Sequence, residues 1–261
     1  IRDQGSALRR VRQHRRRIHL LPPICQMKRL LRHAVADHSP HILVVSAHGA
    51  LRGNVAGLVL GEREFCIELG LDNPPPVVIL SACHVAPRGA GAVSITDLLI
   101  REGVRAVLGT QVSVDVLRNA TLMGRFFINI AAVLSEPDEH PTLLDVWHKV
   151  QASNAVTDIL HAGSPSLGAW VHSLTPSGVD VLSEFMLNRS KGRLRLPHIY
   201  EDTERVLSEI ADDQGQGDRV RNWFRRPGYV PESLFYFFAG KPDRIFLSTL
   251  LAKIEKETGR S

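Results

Sequence analysis

The sequence contains few cysteines, and they are widely spaced. Cys25, Cys66 and Cys83 are the only three in 261 residues, and no two of them form a C-x-x-C pair. Disulfide scaffolds use an even and dense set of cysteines, and structural zinc sites use closely spaced pairs. The sequence therefore argues against both classes and favours a reducing, cytoplasmic setting. The twelve histidines show no metal-type spacing such as H-E-x-x-H, so we predict no metal site.

Long apolar runs and a secretory leader are also missing. The longest nearly uncharged apolar stretch, 126–134, is far shorter than the ~20 residues that a bilayer-spanning helix needs. The first twenty residues are basic and lack the apolar centre of a signal peptide. We therefore expect no contact with a membrane. The chain starts at Ile1 rather than Met, so we expect it to be a piece of a longer protein.

Positive charge is concentrated at the start of the chain. The formal net charge is +5, and residues 1–19 contain seven Arg and one Asp, so the rest of the chain is close to neutral. Such a run could bind nucleic acid or an acidic partner. It has no aromatic residue on which a base could stack, which argues against nucleic acid. A solvated helix, or a junction to upstream sequence, is the favoured interpretation of this basic arm.

Apolar runs and amphipathic segments alternate through the middle of the chain. Continuous apolar runs predict buried strands at 42–47, 77–82 and 104–110. Apolar residues at helical spacing, in two places behind a capping box, predict helices at 24–37, 95–102, 116–134, 143–160 and 201–212. Further predictions are a loop at 49–57, a hairpin around Gly61 and a strand at 168–174. This alternation predicts an α/β fold with a mostly parallel sheet flanked by helices.

Composition divides the chain into three segments. Residues 1–22 are the basic arm, which ends in the prolines at 22 and 23. Residues 23–184 carry the alternating pattern of strands and helices. After Asp180 the chain changes to mixed charged patches with a Gln/Gly/Asp-rich loop at 213–218. We interpret 185–261 as a C-terminal extension or subdomain.

Two of the predicted strands end in residues that suit nucleophilic catalysis. His48 follows the first strand, and Cys83 follows the second. Functional residues of parallel sheets collect outside the carboxyl ends of the strands. A thiol attacks a carbonyl as its thiolate, and a neighbouring histidine can act as the base. If the two strands are neighbours, His48 and Cys83 line the same edge of the sheet.

Backbone groups beside this pair could complete such a site. The N–H groups of Gly49 and Cys83 could form an oxyanion hole for a tetrahedral intermediate. The alternative is that Cys83 simply packs, because free cysteine is among the most buried residue types. We expect that packing role for Cys25 and Cys66, which lie inside apolar patterns.

Four stretches of the chain resemble a known family. In chain order they are ILVVSAHG at 42–49, VVILSAC at 77–83, GAVSITDLLIREGVRAVLGTQVSVD at 91–115 and SPSLGAWVHSLTPSG at 164–178. Together they are similar to the CHAT domain, a branch of the caspase-like cysteine peptidases that is related to caspases and separase. The resemblance covers about 40–178, and the His-Gly and Ser-Ala-Cys strand ends are its most specific part. It implies a caspase-like fold for 23–184.

The resemblance also implies roles for individual residues. Carried over position by position, His48 is the base and Cys83 is the nucleophile. The oxyanion donors would be the backbone N–H groups of Gly49 and Cys83. The residue after the cysteine is commonly acidic in the family, whereas this chain has His84. His84 is therefore a second candidate for the base, but successive side chains of an extended segment point to opposite faces, which favours His48.

A second departure concerns the end of the third predicted strand. The family's usual Trp near the Val-Asp pair is absent, since Gln111 and Ser113 stand there. This departure leaves the substrate preference open. Asp115 could help to shape a specificity pocket. The alternative for Asp115 is an N-cap of the helix that begins near position 116.

The expected function is a cysteine endopeptidase that cleaves an intracellular protein substrate and needs no metal or organic cofactor. The resemblance implies a regulated effector module with a sensor or repeat-domain partner, in cis or in trans, often in bacterial antiviral defence. One alternative is a protein-binding module that keeps the fold without the activity. Another is an α/β nucleotide-binding protein using the loop 83–93, although that loop has neither a P-loop nor a dinucleotide fingerprint.

Overall fold

The structure is a computed structural model that describes residues 23–61, 63–89, 91–134, 141–161, 165–195 and 198–248. The chain folds as two compact units. Of the described residues, 23–113 and 237–240 form the first, called here the sheet unit, and 114–236 and 241–248 form the second, the helical unit. The predicted basic arm lies outside the described residues. The division between the units falls inside the segment 23–184, and the extension at 185–261 stays a prediction from composition.

The elements of the sheet unit that precede the helical unit in the chain are α1 (Pro23–His38), β1 (Ile42–Ser46), β2 (His48–Arg52), β3 (Val55–Leu60), β4 (Glu64–Cys66), β5 (Val77–Ser81), β6 (Val93–Ser94), α2 (Ile95–Arg101) and β7 (Ala106–Thr110). The helical unit contains α3 (Val116–Leu134), α4 (Leu143–Ala152), α5 (Asn154–His161), α6 (Pro165–Val171), α7 (Val181–Ser190), α8 (Ile199–Asp212), α9 (Gly217–Phe224) and two short 3-10 helices, Glu232–Phe235 and Pro242–Arg244. Strand β8 (Tyr236–Gly240) belongs to the sheet unit from Phe237 onwards.

The central sheet has the strand order β1-β5-β7-β8, and β1, β5 and β7 run parallel. Strand β7 is buried throughout and β5 is buried from Val77 to Leu80, which explains their continuous apolar runs. Strand β1 lies at the edge of the sheet, so Val44 is 44% exposed and the prediction that this strand is buried on both faces is wrong. Side chains of α1 and α2 complete the core, among them Val35, Ile95 and Leu99. These features confirm the predicted α/β class with a mostly parallel sheet flanked by helices.

A second, smaller sheet follows β1 directly. Strands β2, β3 and β4 are antiparallel, and β6 pairs with β3. The hairpin predicted around Gly61 is confirmed by the pairing of β3 with β4. The loop predicted at 49–57 is wrong, because only Gly53, at φ +58°, forms a turn. Gly57 is a strand residue, and a Cβ there would lie 2.5 Å from the Cys66 carbonyl oxygen.

Helix boundaries follow their capping residues closely. Ser94 caps α2 by accepting the Asp97 N–H, and Thr142 with Asp145 forms a complete capping box for α4. Helix α3 matches its predicted bounds. The single helix predicted at 143–160 is two helices that break at Ser153. The hydroxyl of Ser153 donates to the Lys149 carbonyl at 2.9 Å, so it binds the end of α4 rather than continuing one rod.

The strand predicted at 168–174 is wrong, because α6 covers most of that stretch. Its buried residues are Leu167, Trp170 and Val171, which lie at the i, i+3 and i+4 spacing of a helix. They join the core of the helical unit with Phe185 and Leu207. In the C-terminal part, α8 confirms the helix predicted at 201–212. Among the described residues, every helix is too short or too polar to cross a bilayer.

Candidate active site

The register of β1 and β5 places His48 and Cys83 at equivalent positions. The two strands are parallel neighbours, and Ser46 is the partner of Ser81. His48 and Cys83 each follow two residues later in the chain. The Ala47 N–H donates to the Ser81 carbonyl at 3.4 Å, so the two backbones stay together beyond the paired strands. The condition set by the sequence is met, since both residues follow the carboxyl ends of neighbouring strands.

The backbone of Gly49 lies against the peptide of Cys83. A Cβ built on Gly49 would lie 1.6 Å from the Cys83 carbonyl oxygen, 2.6 Å from its carbonyl carbon and 3.0 Å from its nitrogen. Real Cβ atoms essentially never approach another heavy atom to less than 3.0 Å. Only glycine fits this position without a shift of the backbone. The close approach also shows that the residues after β1 and the residues after β5 are packed together.

His48 is fixed by the second sheet rather than held on a loop. It is the first residue of β2, where it pairs with Val59 of β3, and it is exposed. The chain therefore passes from the central sheet to the smaller sheet within the single residue Ala47. The two sheets hold the backbone on both sides of this passage, and they limit the directions from which the imidazole can approach Cys83.

Two buried threonines hold the peptides on either side of Cys83. The hydroxyl of Thr110 donates to the Ala82 carbonyl at 2.5 Å, and the Thr110 carbonyl accepts the Ala86 N–H at 2.8 Å. The hydroxyl of Thr96 donates to the Val85 carbonyl at 2.8 Å. Both threonines are fully buried. Each buried carbonyl thus has a donor, and the start of the loop after β5 is anchored to β7 and α2.

These threonines were not identified as site residues from the sequence. Thr110 ends an apolar strand, and Thr96 lies in the first turn of α2. Both positions are common for threonine, and its bonding partner lies far away in the chain. A threonine ending a fully buried strand is the one signal that could have suggested the contact to Ala82.

His84 is engaged by a different residue. Its φ of +52° is a left-handed conformation that non-glycine residues adopt rarely. The rule of alternating faces therefore does not apply to it, and that part of the sequence argument is wrong. Its N–H donates to the Val112 carbonyl at 3.3 Å, and its Nε2 is hydrogen bonded to the Ser113 hydroxyl at 2.8 Å. The ring of His84 is directed to the end of β7.

The two cysteines whose side chains are described differ in exposure. Cys66 is 2% exposed, and its thiol donates to the Glu68 carbonyl at 2.8 Å. It packs in the core of the sheet unit, as predicted. Cys83 is half-buried and forms no disulfide. The side chain of Cys25, which lies in α1, is outside the described part of the structure.

Asp115 caps a helix. Its carboxylate accepts the Arg118 N–H at 2.9 Å, and its carbonyl accepts the Asn119 N–H at 2.9 Å. This is the N-cap arrangement at the start of α3. Asp115 belongs to the helical unit, where it also lines a cavity. Its role in substrate specificity stays a prediction, as do the catalytic roles of His48 and Cys83.

Comparison with known proteins gives one match. A family model described as the CHAT domain matches residues 4–140, which is just over half of the chain. This range includes His48, Gly49, Cys83 and Asp115. Neither the curated proteins nor the solved structures contain a protein that matches this chain.

We predict that Gly49→Ala destabilises the protein by about 3 kcal/mol, because the added Cβ overlaps the Cys83 peptide. Thermal unfolding of the purified variant measures this. The matched control is Gly124→Ala in α3, where an added Cβ meets nothing within 4 Å and the substitution should stabilise the helix by up to about 1 kcal/mol. A Gly49→Ala protein that melts with the wild type would show that the two backbones are farther apart than described.

Proposed function

Since the chain belongs to the CHAT-domain family, which is related to the caspase-like cysteine peptidases, we propose that it is a cysteine endopeptidase with Cys83 as nucleophile and His48 as base. The observation that carries this proposal is the register of β1 with β5. It gives both residues the same position relative to the paired strands, and the Gly49 backbone touches the Cys83 peptide between them.

The proposed reaction is acyl transfer through a thioester. His48 takes the proton of the Cys83 thiol, and the sulfur attacks the scissile carbonyl carbon. When the tetrahedral intermediate collapses, the C–N bond breaks and His48 gives its proton to the leaving amine. A water molecule, deprotonated by His48, then hydrolyses the thioester and restores the thiol. All atoms come from the peptide, the water and these two side chains, so the reaction requires no metal or organic cofactor.

The oxyanion of the intermediate needs donors that are already in place. The backbone N–H groups of Gly49 and Cys83 are the proposed donors. The close contact between these two residues supports this role, because it fixes one peptide relative to the other. The hydrogen bonds from Thr110 to Ala82 and from Thr96 to Val85 add to that rigidity. A preorganised site does not have to reorder its donors when charge develops.

The proposed substrate is a protein inside the cell. An endopeptidase of this kind must be restrained until it is needed, so we propose a regulated effector with a sensor or repeat-domain partner, in cis or in trans. A role in bacterial antiviral defence fits this type of module. Asp115 is retained as a weak candidate for substrate preference. Nucleic acid binding through the basic arm is the less favoured interaction.

The proposal predicts peptide cleavage that depends on Cys83. A library of peptides should contain sequences that the wild type cleaves and that Cys83→Ala does not. Mass spectrometry of the products measures this and identifies the cleaved bond. The control is Cys66→Ala, which removes a buried thiol from the core and should keep the activity, with folding checked by circular dichroism. Absence of Cys83-dependent cleavage across the library would favour a binding module that keeps the fold without the activity.

A second prediction separates the two candidate bases. His48→Ala should lower turnover of a cleaved peptide by several orders of magnitude, because base and nucleophile act as a unit. His84→Ala should change turnover by only about threefold, because its ring is bonded to Ser113. Steady-state kinetics on one optimised peptide compare the two variants. An inactive His84→Ala protein beside an active His48→Ala protein would contradict the assignment of the base.

A further inference from the structure

The helical unit contains a cavity lined by charged residues. Its volume is about 200 Å³, and its walls come from α3, α5 and the 3-10 helix Glu232–Phe235. The charged lining residues are Asp115, Arg118, Arg125, Asp158 and Glu232. Three carboxyl groups therefore face two guanidinium groups, which leaves an excess of negative charge when all are ionised. This cavity takes no part in the cysteine chemistry proposed above.

Glu232 is the lining residue without a complete set of partners. It is only 3% exposed, and its Oε1 is buried with no hydrogen-bond donor. A buried carboxylate oxygen without a donor is costly, because it has lost water and gained nothing in exchange. A native protein retains such a group where the missing donor belongs to a ligand or to ordered water.

The other charged groups of the cavity already have partners. The Asp158 carboxylate accepts the Asn154 amide at 2.6 Å and the Tyr229 hydroxyl at 3.2 Å. The Arg125 guanidinium donates to the Val150 carbonyl and to the Ser153 hydroxyl. The Asp115 carboxylate holds the first turn of α3. The unmet demand in the cavity is thus for a donor to Glu232.

The electrostatics of the cavity agree with this demand. Burial raises the pKa of Glu232 to about 7, with Arg118 lowering it and Asp158 and Asp115 raising it further. Burial also raises the pKa of Asp158, against the hydrogen bond from Tyr229 and the two arginines. The arginines therefore do not fully compensate the acids. An additional positive charge in the cavity would stabilise both carboxylates.

The cation that fits is organic rather than metallic. Among the residues that the structure describes, no three His, Cys, Asp or Glu side chains are grouped to hold a metal ion. A guanidinium offers several N–H donors in one plane, and a primary ammonium offers three. Either group with a short alkyl chain fits a cavity of about 200 Å³. We propose that this cavity binds a guanidinium or primary ammonium group, whose N–H donors complete the hydrogen bonding of Glu232.

Binding of matched probes tests this proposal. Isothermal titration calorimetry at 150 mM salt compares propylguanidinium and propylammonium with propylurea, which has the shape of the guanidinium without its charge. The protein carries Cys83→Ala, so binding is measured without cleavage and does not depend on the proposed peptidase activity. At least one cation should bind, and at least roughly tenfold more tightly than propylurea. Equal binding of cations and propylurea, or no binding of either cation, would overturn the proposal.

A variant of Glu232 assigns the binding to this cavity. Glu232→Gln should weaken binding of the cation by roughly tenfold or more, because it removes the charge and keeps the shape. Its melting temperature should equal or exceed that of the parent, since a buried charge without a donor is lost. The control is Asp213→Asn, an exposed acid at the end of α8, which should leave binding within about twofold. Unchanged affinity in Glu232→Gln would place the cation elsewhere and refute the proposal.

Two further ligands identify the source of the cation. N-acetyl-arginine amide represents a basic residue of a peptide, and N-acetyl-citrulline amide is its neutral counterpart. If the arginine amide binds at least roughly tenfold more tightly than propylguanidinium, the site takes a basic side chain. If the two cations bind equally, the site takes a small free cation. If Glu232→Gln does not fold, preference for the arginine amide over the citrulline amide in the parent protein supports the proposal, and absence of that preference overturns it.

Discussion

The parallel pairing of β1 with β5 is the constraint on which the candidate site depends. Parallel strands begin and end on the same side, so residues that follow them meet at one edge of the sheet. Because Ser46 pairs with Ser81, His48 and Cys83 occupy matching positions. A shift of one residue would turn every side chain to the other face of the sheet, so the buried core fixes this register. Packing of β5 thus determines where the thiol lies.

The site is completed by residues whose chemistry is modest and whose packing is strict. Gly49 contributes the absence of a side chain, which lets its backbone touch the Cys83 peptide. Thr110 and Thr96 contribute buried hydroxyl groups that satisfy the carbonyls on both sides of the cysteine. His84 contributes a left-handed turn and a hydrogen bond to Ser113. A half-buried thiol is therefore presented by a backbone that is held on several sides.

Sequence patterns were sufficient where burial is continuous or where a cap is local. Strand β7 and helix α3 follow from their apolar periodicity, and the caps at Ser94 and Thr142 follow from spacing alone. The short apolar stretch at 168–174 is ambiguous between strand and helix, and tertiary packing of α6 decided it. Partners far apart in the chain leave no local signal. This is why the contact of Gly49 with Cys83 and the burial of Glu232 appear only in the folded structure.

The central claim is that His48 acts on Cys83, and the rate at which iodoacetamide alkylates Cys83 tests it without any knowledge of the substrate. A histidine beside a thiol promotes the thiolate, which is the reactive form. At neutral pH, removing the imidazole in His48→Ala should slow alkylation of Cys83 by roughly tenfold or more, with the rate followed by peptide mass spectrometry. Alkylation of Cys83 at the same rate in the wild type and in His48→Ala would show that the two residues share a sheet edge without acting together.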